Sequence, residues 1–199
     1  MLKVGLTGSI GAGKSIVARI FTMLSIPVYD ADAAAKRLMN DDDSLKKNII
    51  HHFGESSYHN GQLNRSHIAA QVFSNKEKLA LLNSLVHPVT INDSEAWFTQ
   101  QKCPYAIKEA ALLFESGTAA GLDYIIGVTA PESVRIKRAM DRDRTTREHI
   151  KERMKHQLEE SLKMKLCDYV IYNDEKQLTI PQVIKIHEAL LTRIQKTPL

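Results

Sequence analysis

Short apolar runs alternate along the chain with longer stretches whose apolar positions recur every three or four residues. The run Leu2–Thr7 predicts a buried strand ending at Gly8. Residues 15–24 predict a helix with Ile16, Val17, Ile20, Phe21 and Leu24 on one face, so Ile16 is expected to face the core. Ile26-Pro27-Val28-Tyr29 reads as a second short strand that ends at Asp30. A helix over 31–39 follows, broken by Asn40 and the acidic run 41–43.

From about 44 to 98 the pattern is helical, with no convincing strand. Leu45, Ile49 and Phe53 fall at i, i+4 and i+8. Asn60-Gly61 is a turn signal. Ser74-Asn75-Lys76-Glu77 has the spacing of a capping box ahead of Leu79, Leu82 and Val86. His87-Pro88 ends that helix, either as a plain stop signal or as a contact for a second substrate. This stretch is read as a helical insertion.

Strands resume at 105–108 and at Tyr124–Thr129, and Pro131 opens a basic helix. Thr145-Thr146-Arg147-Glu148 is a second capping box, opening a helix through about Lys163. Tyr169–Tyr172 is a last strand, and Ile180-Pro181 starts a terminal helix carrying Val183, Ile186, Leu190 and Ile194. Strands separated by helices imply βαβ units, hence an α/β fold around a parallel five-stranded sheet.

The length, 199 residues, suits one globular domain with a small inserted part. With 43% hydrophobic and 25% charged residues, the composition excludes disorder throughout. No apolar run approaches the roughly 20 residues that span a bilayer, so no membrane partner is expected. The first residues lack the apolar stretch and cleavage site of a signal peptide. Two cysteines, Cys103 and Cys167, make no disulfide framework, and a reducing cytoplasm is the expected compartment.

Net charge is +4 at pH 7, but its distribution matters more than its size. Nine Lys or Arg (135, 137, 138, 142, 144, 147, 151, 153, 155) stand against four Asp or Glu (141, 143, 148, 152) in the window 135–155. The positive charge is therefore local, either a solvated helical face or a device for an anionic ligand. The eight His show no metal-ligand spacing.

Gly8-Ser9-Ile10-Gly11-Ala12-Gly13-Lys14-Ser15 matches G-x-x-x-x-G-K-[ST], with an apolar strand before it and an amphipathic helix after it. A phosphate chain needs many donors close together. Backbone N–H groups of a glycine-rich turn and a helix N-terminus supply them, along with a favourable dipole. Lys14 offers a charge to the β- and γ-phosphates, and Ser15 a hydroxyl to Mg²⁺. Such a loop implies nucleotide binding, not a particular reaction.

Asp30-Ala31-Asp32 lies just past the second strand, and ligands of open parallel sheets bind at the carboxyl ends of strands. A carboxylate there can take or orient a hydroxyl proton, touch Mg²⁺, or simply cap a helix. Glu109 follows the strand 105–108, as either a Walker-B-like acid or an ordinary exposed one; Glu115 is a second candidate. Arg138 and Arg142 stand one helical turn apart in the basic window. Arginines there suit a lid that stabilises charge during phosphoryl transfer.

With these residues in view, the chain closely resembles dephospho-CoA kinases. The resemblance runs nearly end to end. Val4-Gly5-Leu6-Thr7-Gly8 leads into the loop, followed by Asp30-Ala31-Asp32 and Phe53-Gly54. Gly61-Gln62-Leu63-Asn64-Arg65, Val72-Phe73 and His87-Pro88 come next. Leu112-Leu113-Phe114-Glu115, Arg138, Arg142-Asp143, Arg153 with Gln157, and the stretch from Cys167-Asp168-Tyr169 to Asn173 complete it.

The resemblance implies ATP as co-substrate, Mg²⁺, and dephospho-CoA as acceptor. It implies a three-layer P-loop fold, with a nucleotide core over 1–32, 100–134 and 164–199, a helical acceptor-binding part over 33–99 and a lid over 135–163. Asp32 would activate or orient the acceptor hydroxyl, with Lys14, Thr7 and Arg142 near the transferring group. The loop residues Gly8 to Gly13, then Lys14, Ser15 and Ile16, together with Arg138 and Asn173, would hold ATP. Asp32, Arg65, His87 and Glu109 would meet the acceptor. Against the family pattern, Ser9 stands for a usual Gly, Ile16 for a common Thr, Ala111 for a usual Pro and Glu109 for a common Asp.

Two other readings use the same residues. A nucleoside-monophosphate kinase or another small-molecule kinase needs the same loop and lid. A nucleotide-switched protein that binds nucleic acid would use the basic window, but that window lacks interleaved aromatics and any base-reading motif, so no nucleic acid partner is expected. Nothing in the sequence specifies an oligomer.

Overall fold

The structure, a computed structural model, describes residues 1–73 and 75–196. In chain order its elements are β1 (Leu2–Thr7), α1 (Lys14–Met23), β2 (Val28–Asp30), α2 (Ala31–Asp41) and α3 (Asp43–Phe53). A short pair follows, β3 (Tyr58–His59) and β4 (Gln62–Leu63), then α4 (Arg65–Val72), α5 (Lys76–Thr99) and β5 (Tyr105–Glu109). The chain ends with β6 (Tyr124–Thr129), α6 (Glu132–Asp143), α7 (Arg147–Met154), α8 (Glu160–Lys165), β7 (Tyr169–Tyr172) and α9 (Thr179–Lys196). It divides into two compact units, Met1–Asp30 with Gln100–Leu199, and Ala31–Thr99. Asp32 therefore belongs to the second unit, and the basic helices α6 and α7 belong to the first.

The first unit is built on a five-stranded sheet in the order β2-β5-β1-β6-β7, with every pairing parallel. Alternation sorts the side chains of β1. Val4 and Leu6, both fully buried, join Val17 and Phe21 of α1 and Val183, Ile186 and Leu190 of α9 in one core. Gly5 points the other way, where a Cβ would stand 2.7 Å from Leu113 Cδ2. Helices and turns thus cover both faces, as a parallel sheet requires. β1 is the central strand, so the loop that follows it leaves from the middle of the sheet's carboxyl edge.

The second unit has its own core. Leu38, Leu45, Ile49, Phe53, Ile68 and Val86 are buried together, and Leu45, Ile49 and Phe53 form the stripe expected of one helix face. The absence of strand expected over 44–98 is corrected here. Asn60 and Gly61, at φ 49° and 76°, make the turn of the hairpin between β3 and β4. Asn60-Gly61 was thus a hairpin signal rather than a plain turn.

Other local expectations shift for identifiable reasons. β2 starts at Val28 because the Ile26 N–H bonds back to the Phe21 carbonyl at 3.0 Å and finishes the turn after α1. α2 runs through Asn40, whose side chain donates to the Lys36 carbonyl at 2.8 Å and accepts from the Leu63 N–H at 2.8 Å. The acidic run is a junction in which Asp42 caps α3 by accepting from the Leu45 N–H at 2.7 Å.

His87-Pro88 does not end a helix: Pro88 lies inside α5, which continues to Thr99. Packing of Val86, Thr90, Ser94 and Phe98 along the buried side carries the helix past the missing N–H. Ser74 lies outside the described residues, but Asn75 accepts from the Lys78 N–H at 2.9 Å as α5 begins.

The helix expected from 147 to 163 is two helices. Thr146 accepts from the His149 N–H to cap α7, one residue later than the capping box predicts. The chain then leaves helical geometry over 155–159, where the Ile10 N–H donates to the Gln157 side chain and the Leu158 N–H donates to Glu115.

Candidate active site

The glycine-rich loop leaves β1 at Thr7 and enters α1 at Lys14. Its backbone is possible only with glycine at its turning points. Gly11 sits at φ 76°, and a Cβ there would stand 2.1 Å from the Arg135 carbonyl oxygen. Gly13, at φ 95°, would place a Cβ 2.1 Å from Asn173 Nδ2. Lys14 Nζ turns back over the loop and donates to the Gly8 carbonyl at 2.9 Å. No acidic side chain occupies the first turn of α1, so its dipole and N–H groups face the loop without a competing carboxylate.

Thr7 is fully buried at the end of β1, and its hydroxyl has no hydrogen-bond partner among the described residues. A buried hydroxyl left unpaired costs about 1–3 kcal/mol. Such an unpaired group stands where the strand gives way to the glycine-rich loop, and an unpaired buried hydroxyl in a native fold calls for a functional reason. Ser15 and Ile16 are exposed on the first turn of α1. The expectation that Ile16 faces the core is wrong. The buried face of α1 runs through Val17, Ala18 and Phe21, which leaves Ile16 54% exposed.

One further predicted residue, Asn173, meets the loop, and a second, Arg138, meets Asn173. Asn173 follows β7 and donates from Nδ2 to the Ala12 carbonyl at 2.9 Å, against the flank of Gly13. Arg138 of α6 donates to the Asn173 carbonyl at 2.9 Å and pairs with Glu175 at 3.2 Å. Glu109 ends β5 with Leu6 of β1 on one side and Asp30 of β2 on the other. It stands at the carboxyl edge of the sheet, one strand from the loop.

Arg142, at the end of α6, is held in a fork. Its Nε donates to Asp143 Oδ1 at 2.6 Å and its second nitrogen to Oδ2 at 3.0 Å, while Arg153 of α7 reaches the same Oδ2 at 2.6 Å. The Arg142 hydrogen bond, with Arg153 adding to it, holds the Asp143 carboxyl well below the usual carboxylate range. Asp143 thereby presents two guanidinium groups side by side. In the second unit Asp32 stands in the first turn of α2, Arg65 opens α4 and His87 precedes Pro88 in α5.

Behind the loop lies a set of groups in which sequence reasoning gave no role to Glu160, Gln157 or Lys163, and in which Glu115, a candidate metal-side acid by sequence, pairs with Lys163 and accepts from the Leu158 N–H. Glu160 accepts from the Ser9 and Thr129 hydroxyls and lies 3.6 Å from the buried Arg135. Gln157 Oε1 accepts from the Ile10 N–H at 2.9 Å. Lys163, with no exposed side-chain surface, pairs with Glu115 at 2.7 Å. Gln157 and Glu115 occur in the stretches that carry the family resemblance; Glu160 has no such signal. Cys167 is a packing group, its thiol pushed up to about 12 by burial, with Asp168 adding to the shift.

A parallel sheet that sends this loop from its central strand into a helix, beside a helix rich in arginine, defines a nucleotide-binding protein of the phosphate-binding-loop class. The comparison with known proteins is more specific. The family model described as CoaE, dephospho-CoA kinase, matches residues 2–179. The dephospho-CoA kinase of Porphyromonas gingivalis is 37% identical over 199 residues, covering 100% of this chain and 98% of its own. That of Chlorobium chlorochromatii is 40% identical over 181 residues, covering 87% and 85%. A crystal structure of a Thermus thermophilus protein superposes with a TM-score of 0.82 at 29% identity, covering 99% of this chain and 98% of that one. The chain belongs to the dephospho-CoA kinase family and is an ATP-dependent kinase.

Proposed function

We propose that the chain transfers the γ-phosphoryl group of ATP to the ribose 3′-hydroxyl of dephospho-CoA, giving coenzyme A. The observation that carries this reading is the loop itself: a cradle of main-chain N–H groups with Lys14 folded over it, in a chain matched by this family along residues 2–179. Gly8 to Gly13 with Lys14, Ser15 and Ile16 bind the phosphates, and Asn173 and Arg138 brace the loop from the β7 side. Thr7 gives its unpaired hydroxyl to a phosphoryl oxygen. Asp32 takes or orients the proton of the attacking hydroxyl. Arg142, aimed by Asp143, balances charge on the transferring group. Arg65, His87 and Glu109 belong to the acceptor's binding residues, and the helices over 135–163 act as the lid.

Among the described residues no three His, Cys, Asp or Glu cluster to hold a metal. That donor set fits Mg²⁺ carried mainly by phosphate oxygens, with the exposed Ser15 hydroxyl as the protein's oxygen ligand. When bound, the ion neutralises phosphate charge. No described helix is long and apolar enough to cross a membrane. The two cysteines are free, and a reducing cytoplasm is the compartment we propose.

A coupled ATP-consumption assay tests the reading, with dephospho-CoA beside a panel of nucleoside monophosphates. Turnover with dephospho-CoA is the expected result. Turnover with AMP or another monophosphate alone moves the assignment to a nucleoside-monophosphate kinase.

A further inference from the structure

The phosphate loop is attached to the segment that follows α7 at two successive residues. The Ile10 N–H donates to Gln157 Oε1 at 2.9 Å. The Ser9 hydroxyl, on a residue 3% exposed, donates to Glu160 Oε2. The other oxygen of Glu160 accepts from Thr129 at 2.7 Å, at the end of β6. Arg135, itself 5% exposed, stands 3.6 Å from the carboxylate and is fixed by a 2.9 Å bond from its Nε to the Ala130 carbonyl. Its backbone closes against Gly11.

The same stretch is anchored from behind. The Leu158 N–H donates to Glu115 at 2.7 Å, and Glu115 is paired with the fully buried Lys163. Finally, the Ile10 side chain is not part of the main core. It packs in a separate small cluster with Ile136 and Ala139 of α6 and Ile150 of α7, bordered by Met140 and Met154.

These contacts make the loop and the basic helices one mechanical piece. Residue 10 is held by its amide from one side and by its side chain from the other, and both holds come from α6, α7 and the turn after them. We propose that Gln157 and Glu160 are positioning residues of the phosphate loop: without touching nucleotide, they fix residues 9 and 10 against the basic helices so that the cradle is preformed for ATP. Preorganisation of this kind acts on affinity, because an unclasped loop must be ordered when the phosphates arrive.

The inference rests on the loop being the ATP site, so it is tested by binding without any acceptor. ATP with Mg²⁺ is titrated calorimetrically into the wild type, Gln157→Leu and Glu160→Gln, and thermal midpoints are recorded alongside. Gln157→Leu removes one half-buried acceptor and keeps the packing volume; Glu160→Gln keeps the shape and removes the charge. The expected result is an ATP Kd raised about three- to tenfold in each, the worth of one such hydrogen bond. In turnover assays the KM for ATP rises by the same factor, while the KM for dephospho-CoA and kcat at saturating ATP stay within about twofold. An ATP Kd within twofold of wild type in both variants overturns the proposal whatever the thermal midpoint does, as does an equal rise in both KM values. Failure of the wild type to phosphorylate dephospho-CoA would strike the acceptor assignment alone, since the ATP titration does not depend on it.

Discussion

At Thr7 the chain buries a hydroxyl that a valine of the same shape would not have to satisfy. If the hydroxyl served only the fold, it would be a cost without return. Thr7→Val is expected to raise the thermal midpoint by about 2–4 °C, the equivalent of about 1 kcal/mol for a chain of this size, while lowering kcat. A scanning calorimetry trace paired with a turnover assay reads both, and a fall in midpoint would show that the hydroxyl has a structural partner after all. Lys14 and Asp32 carry the heavier chemical load. Lys14→Ala removes the charge folded over the cradle and is expected to cut turnover by about 10²–10³-fold, as loss of a transition-state donor does. Asp32→Ala is expected to lose about 10²–10⁴-fold if the carboxylate handles the acceptor proton. Circular dichroism should show both variants folded, and near-normal turnover of Asp32→Ala would remove that role.

At the scale of elements, α5 presents a conflict between local preference and packing. Pro88 cannot donate to the turn before it, yet the helix runs 24 residues around it. Its buried residues Val86, Thr90, Ser94 and Phe98 supply what the backbone lacks. Pro88→Ala restores the missing N–H and is expected to stabilise the fold by about 1–3 kcal/mol, read as a higher urea midpoint at unchanged slope. The same conflict explains what could be read from the sequence. β1, β6, β7 and the 45–49–53 stripe of α3 are legible because one period of apolar residues matches one buried face. The phosphate loop is legible because its glycines are required by φ and by close backbone neighbours. Pro88 and the junction at 155–159 were not, because distant side chains decide them: Glu115 and the loop amide of Ile10 capture a segment whose own composition is helical. Ile16 is not legible as a solvent-side residue, because an apolar side chain next to the buried Val17 fits the helical period whether or not it is covered. Glu160 left no trace, because its partners at 9, 129 and 135 meet it only in three dimensions.

For the whole molecule, two carboxylates tie the stability of the first unit to pH. Burial pushes the Glu115 carboxyl up, but the Lys163 hydrogen bond and the Leu158 N–H outweigh it and leave the group below its ordinary value. The Arg142 hydrogen bond holds Asp143 lower still, against the effect of burial. A carboxylate lowered on folding contributes stability that is complete above its unfolded value, about 4, and is lost as pH falls through its folded value. Stability is therefore expected to be flat from neutral pH down to about 5 and to fall steeply beneath about 4. Growing positive charge on a chain that is already +4 at neutral pH acts in the same direction. Glu115→Gln separates the two effects. It leaves Lys163, which has no exposed side-chain surface, without its counter-charge. The variant should lose about 3–5 kcal/mol at pH 7, the cost of breaking a buried pair from one side. Between pH 5 and 3, however, its stability should decline less than that of the wild type, because the proton-linked part of the pair is already gone. Urea titrations of both proteins at pH 7, 5, 4 and 3 measure this. Parallel decline of the two curves would assign the acid sensitivity to general charge repulsion instead of to the Lys163–Glu115 tie behind the phosphate loop.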